Sequence, residues 1–253
     1  MVLPKKSLGQ HFLMDQNIAE KIVNAIPAHP PIVVEIGPGT GMLTKLLLKK
    51  ADIDPIFIET DGEAIEYLKS TFQGIDDKLL HKDFLKADLN EIIHDEYQII
   101  GNLPYNISSQ IFFRMLDDRD RMRSAVVMIQ KEVAERIRTG PGSKVTGILS
   151  VLLQTWFDIE YLFTVSENVF YPPPKVKSAV IRLSRNDRVD IGCDPELYFK
   201  VVKAGFNQRR KTLRNSIKQF LTGKDTSGIE KFLSKRAEQL TVEEFIDLVN
   251  YLK

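Results

Sequence analysis

Apolar residues fall into two rhythms that alternate along the first two thirds of this chain. Ile32-Val33-Val34-Glu35-Ile36 is a short, nearly continuous apolar run that stops at Gly37-Pro38-Gly39-Thr40-Gly41, the pattern of a buried strand ending in a tight turn. A helix is predicted over 42–50, where Leu43, Leu46, Leu47 and Leu48 recur, and Ile56-Phe57-Ile58 reads as a second buried strand ending at Glu59-Thr60-Asp61. Further on come a helix over 62–72, a short strand over 79–82, and a strand over 97–100 that runs into Gly101-Asn102-Leu103-Pro104-Tyr105. A helix over 107–116 carries Ile111, Phe112 and Met115 on one side. A strand over 124–129, a helix over 131–138, a loop at Gly140-Pro141-Gly142-Ser143 and a helix over 147–155 follow. Strands over 157–165 and 179–183 close the series around Phe170-Tyr171-Pro172-Pro173-Pro174. Strands alternating with helices predict an α/β fold with a mainly parallel, doubly wound sheet.

After Leu183 the rhythm changes. Residues 184–195 are polar and include Gly192 and Pro195, and beyond them only helical spacing remains, as at Val201, Val202 and Phe206 and again at Phe245, Leu248 and Val249. The expected organisation is a domain over 1–186 and a small helical domain over 187–253.

Composition sharpens this reading. With 43% hydrophobic and 27% charged residues in 253, disordered, fibrous and disulfide-scaffold classes are excluded. A single Cys193 has no partner, which suits a reducing cytoplasmic interior. The opening Met1-Val2-Leu3-Pro4-Lys5-Lys6 is not followed by an apolar run of signal-peptide length and no stretch approaches a membrane span, so a cytoplasmic protein without a membrane partner is expected. A monomer is expected as well. The formal net charge of +1 argues against coating nucleic acid by bulk charge. It conceals an asymmetry, because residues 1–184 sum to −3 and residues 185–253 to +4.

A glycine turn after the first buried strand, with an acid closing the second, is how such sheets hold an adenosine moiety. Gly37, Gly39, Gly41 and Glu59 fit that pattern. The spacing is G-x-G-x-G, whereas the dinucleotide fingerprint has its third glycine one position later, where Met42 stands, so a nicotinamide cofactor is disfavoured. Gly41 is followed by Met-Leu-Thr rather than Lys-Ser/Thr, so the common phosphate cradle is missing too. Asp83 ends the next predicted strand, where it can accept a bond from an adenine amino group or serve as a plain turn residue. Together these describe an adenosyl site without a phosphate cradle, and S-adenosylmethionine fits it.

Asn102-Leu103-Pro104-Tyr105 lies at the same end of the sheet. An exocyclic base amine is a poor nucleophile because its lone pair is delocalised into the ring. Two acceptors, the Asn102 side-chain carbonyl and the Leu103 main-chain carbonyl, can draw its N–H groups toward a tetrahedral arrangement, with Pro104 fixing the turn and Tyr105 stacking on the base. Such catalysis needs no metal, and His29, His81 and His94 show no metal-ligand spacing. The block Lys200, Lys203, Arg209, Arg210, Lys211, Arg214 and Lys218 carries no acid between Phe199 and Phe220, and its interleaved apolar residues leave one face for phosphates. Lys5 and Lys6 are candidates to extend it.

Six blocks, in order, carry a resemblance: Lys6-Ser7-Leu8-Gly9-Gln10-His11-Phe12-Leu13, Glu35-Ile36-Gly37-Pro38-Gly39-Thr40-Gly41, Asn102-Leu103-Pro104-Tyr105-Asn106-Ile107-Ser108, Gln130-Lys131-Glu132-Val133, Phe170-Tyr171-Pro172-Pro173-Pro174-Lys175-Val176, and Phe206-Asn207-Gln208-Arg209-Arg210-Lys211-Thr212-Leu213-Arg214-Asn215. The chain resembles the KsgA-type small-subunit ribosomal RNA adenine dimethyltransferases. The resemblance implies a Rossmann-like S-adenosylmethionine-dependent methyltransferase domain with a helical C-terminal domain. It also implies dimethylation at N6 of two adjacent adenosines near the 3′ end of small-subunit ribosomal RNA, within an immature subunit whose late assembly the protein assists. Cofactor contacts are implied for His11, Leu13, Gly37, Gly39, Glu59, Asp83 and Asn102. Some members have Asn where His11 stands, which favours a main-chain contact there. Phe170 resembles the aromatic that closes the base pocket opposite Tyr105, although its place before three prolines equally suits plain packing. RNA contacts are expected at Lys203, Arg209, Arg210, Lys211 and Arg214. Competing expectations are a related antibiotic-resistance methyltransferase of large-subunit ribosomal RNA and an assembly factor acting mainly by RNA binding.

Overall fold

The structure, a computed structural model, describes residues 2–253, with the side chain of Lys6 outside the described residues. In chain order its main elements are β1 (Phe12–Leu13), α1 (Gln16–Asn24), β2 (Ile32–Ile36), α2 (Thr44–Leu47), β3 (Asp54–Glu59), α3 (Gly62–Thr71), β4 (Leu79–His81), β5 (Tyr97–Asn102), α4 (Ser108–Asp117) and β6 (Met122–Gln130). They continue with α5 (Lys131–Arg138), α6 (Ile148–Trp156), β7 (Phe157–Val165), β8 (Phe170–Tyr171), β9 (Ser178–Arg185), α7 (Pro195–Asn207), α8 (Leu213–Ser216), α9 (Glu230–Leu233) and α10 (Val242–Tyr251).

The strands form a seven-stranded sheet in the order β4-β3-β2-β5-β6-β9-β7, with β1 and β8 making a separate two-stranded ribbon. From β4 to β6 every neighbouring pair is parallel, and β9 runs antiparallel to β6. Strand order reverses between β2 and β5, since β3 and β4 are laid down on one side of β2 and β5 and β6 on the other. The crevice outside the carboxyl ends of the strands at such a switch point is where ligands bind in open α/β sheets. Helix α1 and the β1–β8 ribbon lie outside the predicted elements, although α1 has a start signal in Asp15, whose side chain accepts from Ile18 N–H at 3.0 Å.

Two compact units emerge: residues up to Ala134 with Ile159–Arg185, and Glu135–Asp158 with Asn186–Lys253. Residues 135–158, expected within the first domain, therefore belong with the C-terminal helices. The cause is α6, Ile-Leu-Ser-Val-Leu-Leu-Gln-Thr-Trp, which is apolar nearly all round and packs against α7 and α10. Inside that unit the Thr155 and Tyr198 hydroxyls meet at 2.8 Å, and the Phe206 and Phe245 rings lie 6.3 Å apart.

In the sheet unit one core joins Ile22, Val33, Leu47, Phe57, Leu68, Val126, Met128 and Val180, all fully buried. Among these apolar neighbours, the central strand β2 buries a carboxyl group. Glu35 is 1% exposed and accepts from the Thr44 hydroxyl at 2.7 Å. Burial pushes its carboxyl up to about 8, the Thr44 bond opposes that rise, and the nearby Glu59 charge adds to it.

Candidate active site

A cleft of about 270 Å³ opens at the carboxyl ends of β2, β3 and β5. Its walls come from five stretches of chain: the arm Ser7–Phe12, the glycine turn after β2, the 58–60 and 82–85 segments, and the Asn102–Ile107 corner. Its volume is at the small end of the range for ligand sites.

The glycine turn is shaped by two constraints. Gly39 has φ +57, and a Cβ there would stand 2.9 Å from the Phe12 ring, so only glycine lets β1 cover the turn. Glu59, 3% exposed at the end of β3, braces the same turn: one carboxylate oxygen accepts from Gly39 N–H at 3.0 Å and the other from Thr60 and Asp61 N–H at 2.8 and 2.9 Å. A carboxylate offers about four lone-pair sites. Glu59 therefore keeps acceptor capacity toward the cleft it lines.

At the end of β5 the main chain passes very close to β2, since a Cβ on Gly101 would meet the Ile36 carbonyl oxygen at 2.9 Å. That approach delivers Asn102 to the cleft. Its side-chain Nδ2 donates to the main-chain carbonyl of His11 at 2.8 Å, so the amide is oriented and Oδ1 remains an acceptor. Leu103 is buried and its N–H donates to Met128 at 3.0 Å, which ties the corner to β6. The Tyr105 hydroxyl shares a 2.5 Å bond with the Ser178 hydroxyl, and its ring stacks on His11 with centroids 5.4 Å apart and planes at 30°. Burial raises the Tyr105 phenol above its ordinary value, against the opposing Ser178 bond, so the ring is neutral.

The arm is fastened by a cluster outside the sequence expectations. Lys5 Nζ meets Asp61 at 2.7 Å and Glu63 at 3.0 Å, and Gln10 donates to Asp61 at 3.2 Å. Burial alone would raise the Asp61 carboxyl, but bonds from Lys5, Gln10 and the Glu63 amide outweigh it and hold the group below its ordinary value. Gln10 stands in the block that carries the resemblance, beside His11, and that proximity was the available signal.

His11, Gly37, Gly39, Glu59, Asp83, Asn102, Leu103, Pro104 and Tyr105 all line the cleft. Asp83 is also a turn residue, with one oxygen accepting from Leu85 N–H at 3.0 Å. Two expected residues do not line it. Leu13 is 3% exposed and Phe170 is 4% exposed, and both point into the core of the sheet unit. They are cross-strand partners in the β1–β8 ribbon and so share its inner face, while Phe12 and Tyr171 form the next pair on the other face. Phe12 lines the cleft, and Tyr171 is 56% exposed.

In the helical unit the basic block is divided. Arg209 donates from one terminal nitrogen to the Lys144 and Thr146 carbonyls at 2.6 and 2.9 Å, and so holds the loop after Gly140. The same loop is fastened by Gly142 N–H to the Glu238 carbonyl at 2.7 Å. Arg214 pairs with Glu230, and Lys200 with Glu196 at 2.6 Å. Lys203, Arg210 and Lys211 are exposed and make no ion pair among the described residues. Acids just outside the block, Glu196 one helical turn before Lys200 and Glu230 beyond its far end, thus neutralise part of a block that contains none of its own. Lys5 pairs in the arm, and the Lys6 side chain lies outside the described residues.

Comparison with known proteins adds four findings. The family model for ribosomal RNA adenine dimethylase matches residues 2–253. The ribosomal RNA small subunit methyltransferase A of Bacteroides thetaiotaomicron is 53% identical over 256 residues, covering 100% of this chain and 95% of that protein. Among solved structures, a dimethyladenosine transferase from Plasmodium falciparum superposes with a TM-score of 0.77 at 26% identity, over 94% of this chain and 96% of that one. The 23S rRNA methyltransferase ErmE superposes with a TM-score of 0.69 at 24% identity, over 95% of this chain and 99% of that one, and shares the fold.

Proposed function

The chain belongs to the ribosomal RNA adenine dimethylase family, and we propose that it transfers methyl groups to N6 of adenosine in small-subunit ribosomal RNA, with catalysis centred on Asn102. The observation that carries this reading is the 2.8 Å bond from Asn102 Nδ2 to the His11 carbonyl, which fixes the amide with Oδ1 as an acceptor at the mouth of β5.

S-adenosylmethionine, when bound, supplies an electrophilic methyl group on a sulfonium. The residues present suit it: Glu59 retains about one acceptor site for a ribose hydroxyl, Asp83 lines the cleft with a carboxylate that can accept from an adenine amino group, and the glycine turn is not followed by the Lys-Ser/Thr of a phosphate cradle. His11 contributes to that wall through its main chain. Leu13 acts from behind it, by seating β1.

Asn102 Oδ1 and the Leu103 carbonyl accept the two N6 hydrogens of the target adenine and hold the nitrogen with its lone pair directed at the methyl group. Tyr105 stacks on the base and replaces the stacking lost when it leaves the RNA. No side chain has to take a proton in the step, because the nitrogen sheds one to water after it gains the methyl.

The proposed target is two adjacent adenosines near the 3′ end, in an immature small subunit engaged in the cytoplasm by a single copy of the protein. Lys203, Arg210 and Lys211 supply phosphate contacts, with Arg209 and Arg214 supporting them from their intramolecular bonds. Incubating immature small subunits and, separately, large-subunit RNA with labelled cofactor, then mapping primer-extension stops, tests this. Stops confined to large-subunit RNA would overturn it.

A further inference from the structure

The β1–β8 ribbon directs its two neighbouring aromatic rings to opposite sides. Phe170 goes into the core with 4% exposure, and Tyr171 stays 56% exposed. We propose that the Tyr171 ring is a stacking platform for the nucleotide next to the one held in the cleft. The proposal rests on the reading above, in which an adenine enters beside Tyr105.

Four observations point the same way. Tyr171 is the direct cross-strand partner of Phe12, and Phe12 lines the cleft, so the exposed ring stands on the cleft side of the ribbon. The carbonyl of the next residue, Pro172, accepts from His11 Nδ1 at 2.7 Å, and the His11 ring in turn stacks on Tyr105. Tyr171 is therefore joined to the base-stacking residue through one intervening ring, and its place relative to the cleft is fixed. The segment that follows, Pro172-Pro173-Pro174, is stiff, so ordering it on RNA costs little. Just beyond it Lys175 and Lys177 are exposed, which puts cations on the same segment as the ring. An exposed aromatic ring flanked by cations on a rigid segment binds single-stranded nucleic acid without regard to base identity. Extruding one adenine strips its neighbour of a stacking partner, and Tyr171 supplies the replacement.

The test compares wild type, Tyr171→Ala and Tyr171→Phe on unmethylated small-subunit ribosomal RNA. The RNA is used intact and with the nucleotide on either side of the methylated adenosine made abasic. Tyr171→Ala is expected to weaken binding of intact RNA about tenfold, and Tyr171→Phe to restore it. One abasic RNA should bind wild type as weakly as intact RNA binds Tyr171→Ala, with no further loss when the two changes are combined. Losses that multiply, or Tyr171→Ala binding like wild type, overturn the proposal. Cofactor affinity and the melting temperature should be unchanged in all three proteins, since Tyr171 lies outside the cleft lining. If wild type itself methylates no adenosine of small-subunit RNA, the enzyme reading fails instead.

Discussion

The Asn102 side-chain amide is held by a main-chain carbonyl, that of His11, at 2.8 Å. A residue 91 positions away in the chain thus decides which end of the Asn102 amide faces the cleft. Asn102→Ala removes the acceptor, and turnover is expected to fall by about 10²–10³. Asn102→Asp keeps an acceptor but sets a carboxylate against the His11 carbonyl, so it should be no better. Single-turnover methylation measures both, and an aspartate variant with near wild-type turnover would falsify the orienting role.

Tyr105 is engaged at both ends, by Ser178 through its hydroxyl and by His11 through its ring. Tyr105→Phe keeps the ring and leaves the buried Ser178 hydroxyl without that partner, so it is expected to cost about 1 kcal/mol of stability with turnover within a few-fold of wild type. Tyr105→Ala should lower turnover tenfold or more. Denaturant melts and methylation rates of the pair separate the two functions, and equal turnover in Phe and Ala variants would rule out stacking.

Glu35 gives the fold a pH dependence with a definite sign. Its carboxyl is pushed up to about 8 in the folded state from an ordinary value of 4.5, so between those values the folded chain holds a proton that the unfolded chain releases. Stability from this group is greatest below the lower value, falls by about 1.4 kcal/mol per pH unit as pH rises through the window, and levels off above the upper one. Glu35→Gln cannot titrate. Its stability relative to wild type should therefore climb with pH from about 5 to about 8 and then hold constant. Denaturant midpoints across that range provide the measurement, and a pH-independent difference would exclude the buried proton.

The basic residues of the helical unit separate into two kinds. Replacing Lys203, Arg210 and Lys211 together by alanine should reduce the slope of log affinity against log salt by about two, with cofactor affinity unchanged. Arg209→Ala should instead release the Lys144–Thr146 carbonyls and speed proteolysis within that loop. Filter binding at several salt concentrations and limited proteolysis read the two effects; a protease-resistant Arg209→Ala loop would mean the carbonyl bonds are dispensable.

Most of the cleft is written in local sequence. The glycine turn, Glu59 and the Asn102–Tyr105 corner each follow a buried strand of a parallel sheet, and parallel topology alone brings strand ends together. The inward turn of Phe170 is of another kind. A strand of two residues has no periodicity to read, and which of Phe170 and Tyr171 faces the core is set by register with β1, far away in the chain. The same applies to Arg209 and Arg214, whose partners at Lys144, Thr146 and Glu230 come from other segments. Residues 135–158 looked like one more α/β repeat because periodicity shows that a helix has an apolar face but not which neighbour covers it. Helix α1 did carry its signals, the Asp15 cap and the apolar spacing at Ala19, Ile22 and Val23.

The interrupted path of the helical unit bears on how the protein is made. Synthesis proceeds from the N-terminus, so α6 leaves the ribosome well before α7 and α10, the helices that cover it. Until α7 and α10 emerge, Val151, Leu152 and Leu153, buried in the finished fold, lack the helices that cover them. The sheet unit has all its strands once Arg185 is out, whereas the helical unit waits for the end of the chain. A nascent chain halted between those points has a complete sheet unit and an apolar α6 still uncovered, so that interval is when it is most prone to aggregate.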